Sequence, residues 1–222
     1  MKKKIAKKEK VKKTTSSSDK QFFWLVFLIT SIIIIVLVGP TIYHQMFNVF
    51  EYGGVKFEKI QQGQITFYHG VFPIIYQGNL TTLYNSYFRT DPRKNNISVN
   101  TTLSLSKKVF ISLSPGVEEC KNIALAQPQL ANFIVSFPFV KNLTSGVNDL
   151  NVSKALKIPL ITCKNASADS TVMIIQMSDV PSIETGNNSD CFILNVGKCQ
   201  YLETVERYMM SAMAQINNIS IS

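Results

Sequence analysis

Histidine is scarce in this chain, with His44 and His69 alone, and cysteine is confined to Cys120, Cys163, Cys191 and Cys199. Two imidazoles exclude a His-rich metal centre, and the four thiols have neither a C-x-x-C pair nor the spacing of a zinc ribbon or knuckle. Dithiol redox chemistry, a metal site and a bound cofactor are therefore not expected. Ser114-Pro115-Gly116 precedes an apolar stretch, but it fits no P-loop or dinucleotide fingerprint. Asparagine is missing before Asn48, and charge is missing from Phe22 to Val38. These last two gaps divide the chain into regions of different character.

The uncharged run Phe22–Val38 has 17 residues, interrupted only by Thr30 and Ser31, whose hydroxyls can bond back to helix carbonyls. At about 1.5 Å per residue it spans roughly 26 Å, and adding Gly39 to Tyr43 reaches a bilayer core of about 30 Å. Trp24 and Tyr43 then fall near the two interfaces, where amphipathic rings prefer to sit. Leu37 and Pro40 around Gly39 make a poor signal-peptidase site, so an uncleaved signal anchor over 21–43 is expected. Residues 1–20 carry nine Lys against Glu9 and Asp19, a net of +7 out of the chain's +9. A tail this basic stays in the cytoplasm and sends the rest of the chain across the membrane. The remainder is nearly neutral, so no nucleic-acid partner is expected. The partner the anchor demands is the lipid bilayer. The tail, too poor in apolar residues to fold, either sets topology alone or also attracts anionic inner-leaflet lipid or a cytoplasmic protein.

Beyond the anchor lie eight Asn-x-Ser/Thr sequons, at Asn79, Asn96, Asn100, Asn142, Asn151, Asn165, Asn187 and Asn218. That is roughly three times what this composition yields by chance, and it points to N-glycosylation outside the cytoplasm. All four cysteines lie on the same side, and an even number in an oxidising compartment reads as two disulfides.

The expected class is α+β: one membrane helix, a β-rich part over 44–102 and an α/β part over 103–222. Gly53-Gly54 parts two alternating runs and predicts a hairpin pairing Tyr52 with Val55, Phe50 with Phe57 and Glu51 with Lys56. QITFYHG, VFPIIYQ and LTTLYNSYFR read as further strands, with Pro73 marking an edge or bulge. In the second part KVFISLS is a strand, and a helix is expected from Ser114-Pro115, kinked or restarted at Pro128 and followed by a loop-rich stretch with two sequons around Asn142 and Asn151. TVMIIQM is a central strand, the turn-rich SDVPSIETGNNSD links it to CFILNV, its antiparallel neighbour, and Tyr201–Ile216 is a closing helix with one apolar stripe. Cys191 and Cys199 flank a strand and sit roughly 20 Å apart. Three connectivities are open; this strand arrangement favours Cys120–Cys191 and Cys163–Cys199.

Among candidate binding groups, Arg89, Asp91 and Arg93 form the most polar cluster, and an Arg pair can grip a carboxylate or phosphate. His69 lacks a carboxylate or nucleophile in a recognisable context. Asp179, Glu184 and Asp190 share one polar stretch without the spacing of a calcium loop. The segments FEYGGVKFEK, YFRTDPRKNN, ITCKNAS and DCFILNVGKCQYLETVERY resemble uncharacterised single-pass membrane proteins of archaea. The resemblance implies a shared ectodomain and membrane location, and no activity. The second part is also similar to a thioredoxin-like core, whose dithiol motif this chain lacks. Three readings follow: a non-enzymatic surface or assembly module with a protein partner still to be identified, a tethered envelope enzyme acting on glycan or lipid-linked substrate, or a lysine tail that docks an anionic partner. Location is the cell membrane, amino terminus inside and the folded domain extracytoplasmic.

Overall fold

A computed structural model describes residues 17–76 and 79–216. The tail up to Ser16 and the sequon at Asn218 lie outside the described residues. Two compact units are resolved, Met1–Phe47 and Asn48–Ser222. The described residues of the first form one helix, α1 (Ser17–Phe47). Its apolar side chains are exposed from Phe22 to Val38, and it is long and apolar enough to cross a membrane. Thr30 Oγ1 donates to the Val26 carbonyl at 2.8 Å, so its hydroxyl is satisfied within the helix. Pro40 lies inside α1, which continues beyond the expected 21–43 span in both directions.

The second unit is α+β and begins with four antiparallel strands in the order of the chain: β1 (Val49–Tyr52), β2 (Val55–Gln62), β3 (Ile65–Tyr76) and β4 (Asn79–Phe88). Gly53 and Gly54 both have positive φ, and the hairpin register is the expected one: Phe50 opposite Phe57, Glu51 opposite Lys56, Tyr52 opposite Val55. The two runs expected around Pro73 form the single long strand β3. Its pairing with β2 stops at Gly70, so Pro73 sits where one side of the strand is open, next to a register shift at Ile74/Ile75. Proline's missing N–H is tolerated there. Gly70 faces Phe57, whose ring would lie 2.6 Å from any Cβ.

Six strands form the second, mixed sheet in the order β5-β9-β10-β8-β6-β7. They are β5 (Ser98–Val99), β6 (Lys108–Leu113), β7 (Asn142–Val147), β8 (Ser170–Ser178), β9 (Ser182–Thr185) and β10 (Cys191–Gly197). Three expectations are corrected here. The stretch around Asn142, read as loop, is the edge strand β7, parallel to β6. The turn-rich stretch after β8 contains β9, which carries the chain past β10's place. As a result β10 runs parallel to β8, not antiparallel. Side chains on β8 alternate strictly between two clusters: Met173 and Ile175 on one face, Val172 and Ile174 on the other.

Helices α2 (Ile123–Val135) and α4 (Tyr201–Ile216) lie between the sheets, while α3 (Leu150–Leu156) adjoins β7. The four-stranded sheet reaches the helices through Phe57 and Phe72 near Met210, and through Tyr84 against Phe133. One continuous core therefore joins residues of both expected parts. α2 does not start at Ser114-Pro115. A 3-10 turn at Val117–Glu119 intervenes, and Pro128 is accommodated inside the helix.

The reversed direction of β10 also corrects the disulfides. Cys191 opens β10 at the end of the sheet where Cys163 precedes β8, and these two are bonded with a Cα separation of 5.4 Å. Cys120 and Cys199 meet at the opposite end, 5.1 Å apart at Cα, just ahead of α2 and α4. Non-reducing peptide mapping is expected to link 120 with 199 and 163 with 191; a 120–191 or 163–199 peptide would contradict the topology. Replacing Cys120 and Cys199 by Ser should cost about 2–5 kcal/mol of stability by chemical denaturation.

Candidate functional site

The polar cluster expected at Arg89–Arg93 opens the connector between the two sheets. Asp91 is buried and caps a 3-10 turn, Pro92–Lys94. Its carboxylate accepts from the Arg93 backbone N–H at 3.1 Å, from Arg93 Nε at 3.0 Å and from Nη2 at 2.8 Å. Burial would raise the Asp91 carboxyl, but these Arg93 donors outweigh it and hold it below its ordinary value. The Arg93 guanidinium also lies 3.8 Å over the Phe50 ring. Arg93 is thus engaged twice within the fold.

Arg89 behaves differently. Its backbone N–H donates to Glu206 Oε1 at 2.6 Å and the next N–H, from Thr90, to Oε2 at 3.0 Å. Its guanidinium turns to the Phe67 ring, 4.6 Å from the centroid. Phe67 and Phe50 belong to opposite faces of the four-stranded sheet, as the pairing register requires. The two arginines therefore do not form one clamp. Nε of Arg89 is buried without a hydrogen-bond partner, and its side chain makes no ion pair with a described residue.

Arg89 borders a groove of about 390 Å³ between the β4 edge and α2, lined also by Phe67, Asn85, Tyr87, Gln129 and Asn132. No Asp or Glu contributes to that lining. His69 stacks on Tyr87 with ring centroids 4.6 Å apart, and its Nε2 lies 3.2 Å from Asn85 Oδ1. His69 is thereby a support for groove side chains. Glu184 lies in β9, where Ser182 Oγ donates to it at 2.6 Å, so it is not grouped with Asp179 and Asp190 as a cation site. No group of acidic, His or Cys side chains suited to a metal occurs among the described residues.

Two features escaped the sequence reading. The groove follows from apolar residues on both faces of β4, where Leu83 and Tyr87 alternate outward as Tyr84 and Phe88 alternate inward. Glu206 is the second: YMMSAMA has no polar stripe, which signals a helix buried on all sides and leaves its acid nowhere to reach water. Burial pushes the Glu206 carboxyl up to about 7, against the two backbone N–H bonds that favour its charged form.

The seven sequon asparagines that are described, at 79, 96, 100, 142, 151, 165 and 187, are all exposed. Of the eight other described asparagines, only Asn85, Asn122 and Asn132 are. Asparagines within sequons are therefore selectively at the surface.

The raised Glu206 value sets a pH dependence. The folded chain binds this proton more tightly than the unfolded chain, so the Glu206 contribution to stability is fullest below its unfolded value of 4.5 and declines as pH rises to about 7. Melting temperature should fall by several degrees over that window. Glu206→Gln should flatten the slope while lowering stability; an unchanged slope would remove Glu206 as its source. Comparison with protein-family models, curated proteins and solved structures found no match to this chain.

Proposed function

We propose that this chain is a non-enzymatic binding module, held at the cell membrane by α1 with its amino terminus in the cytoplasm and its folded unit outside. Two disulfides support an oxidising compartment for that unit. The exposed sequons support N-glycosylation there. The resemblance to archaeal single-pass membrane proteins agrees with the same location. The observation that carries the binding role is Arg89: a cation beside a solvent-open groove, with no acidic residue in the lining to neutralise it. The other polar groups there are the carboxamides of Asn85, Gln129 and Asn132 and the tyrosines Tyr84 and Tyr87. Such groups hold ligands by hydrogen bonds, which supports a binding role.

The full chain, extracted from its membrane in mild detergent, is expected to retain anionic members of a mixed panel of glycans and peptides. Arg89→Gln should weaken retention by about tenfold, the worth of one charge-assisted hydrogen-bonded pair, whereas Lys94→Gln should change it little. Equal loss in both variants would reduce the effect to general charge. Glycopeptide mass spectrometry of the same material should find sugar at the exposed sequons, and bare asparagines throughout would contradict the extracytoplasmic placement.

A further inference from the structure

We infer that the groove between β4 and α2 binds a carboxylated sugar, with Arg89 on the carboxylate, Tyr87 under the ring and the carboxamides on the hydroxyls. The inference rests on the binding-module reading and names its ligand class. Four observations converge on it.

The first is charge. The Arg89 guanidinium has a ring face beneath it, a buried Nε without an acceptor, and two Nη groups with no ion pair among the described residues. A planar carboxylate matches that fork. Phosphate sites more often gather several cations or a nest of backbone N–H groups, and this groove contains a single guanidinium.

The second is the platform. Tyr87 is 50% exposed. His69, directly across on β3, covers one side of its ring. β4 is the edge of the sheet, so no further strand covers the other side, where the groove lies. An aromatic face beside a cation suits the C–H face of a sugar ring.

The third is the set of amides. Asn85, Gln129 and Asn132 approach from both walls. Asn85 Oδ1 already meets His69 Nε2, and Gln129 Nε2 donates to the Tyr87 carbonyl at 3.5 Å, which holds both amides in place. Each keeps further donor or acceptor capacity for a hydroxyl, as does Asn132. A volume of about 390 Å³ accommodates one or two rings.

The fourth is access. None of the lining residues is a sequon asparagine. Asn79, the sequon residue on β4, is five positions before Tyr84, roughly 17 Å along an extended strand. The attachment points for sugar are thus outside the groove lining.

Calorimetric titration of the full chain in lipid nanodiscs tests the inference, using trigalacturonate, neutral galactotriose and a glutamate-containing peptide as probes. Trigalacturonate is expected to bind and galactotriose to bind at least about tenfold more weakly, since it lacks the charged partner. Arg89→Gln and Tyr87→Ala should each weaken trigalacturonate by about tenfold, and Tyr87→Phe by less than about twofold, because the ring and not the hydroxyl is used. Asn132→Ala, on the opposite wall, should lose about fivefold and provides a second variant if Arg89→Gln unfolds. Equal binding of the neutral sugar, or an unaffected Tyr87→Ala, would overturn the sugar assignment. Peptide binding that depends on Arg89, without sugar binding, would overturn it and leave the binding-module reading standing. Silence from all three probes with correctly folded protein would overturn both.

Discussion

Burial of α4 on nearly every side is the constraint on which the folded unit depends. A helix placed between two sheets presents little polar surface to water, so the Glu206, Arg207 and Gln215 side chains take partners in the protein, while the Tyr201 and Tyr208 hydroxyls are buried without one. Glu206 takes the N–H groups of Arg89 and Thr90. Arg207 donates from Nε to the Ile97 carbonyl at 3.0 Å and from Nη1 to the Tyr52 hydroxyl at 3.0 Å. Gln215 accepts from the Leu103 N–H and donates to the Thr101 carbonyl. Asn95 Nδ2 adds a bond of 2.8 Å to the Glu203 carbonyl. All of these except the Tyr52 bond fall on residues 89–103. The connector between the sheets is therefore fastened along its length to the central helix through Glu203, Glu206, Arg207 and Gln215.

This fastening explains why two arginines four residues apart have different fates. The backbone of Arg89 is clamped from the helix side, which leaves its side chain to turn toward Phe67 and the groove. Asp91, two residues later, is buried and requires a cation; Arg93 supplies it and is used up. The Cys120–Cys199 bond acts on the same layer. It joins the segments that lead into α2 and α4, so the wall of the groove and the helix that clamps Arg89 share one covalent tie. Cys163–Cys191 does the equivalent at the far end of the sheet, next to the small second core around Ile161 and Val172.

How much of this was legible depended on whether local chemistry or long-range packing decides each feature. Gly53-Gly54 determines its hairpin locally, through φ values only glycine adopts freely, and the facing residues followed to the single position. The uncharged run, the apolar β8 and the closing helix were readable for the same reason. The direction of β10 was not, because it depends on whether the short β9 returns beside β8 or beyond β10, and SIET has no pattern that distinguishes these. Reversing one strand exchanged the partners of two cysteines, although one disulfide at each end of the sheet was the correct general expectation. β7 is short, polar and contains a glycine packed against Pro159, so it lacks the alternation of a strand. Arg89, Asp91 and Arg93 were recognisable as a cluster, but their separation to two sheet faces required the register of β3 and the buried acid of α4.

The direct test of this account is amide hydrogen exchange at Arg89 and Thr90, read in the folded chain and in Glu206→Ala. The account predicts that both amides exchange as slowly as the core amides of β8, and that the substitution releases them, together with Asn95 to Leu103, before β8 is affected. Exchange of the Arg89 and Thr90 amides at the rate of a free surface loop in the unsubstituted chain would contradict it.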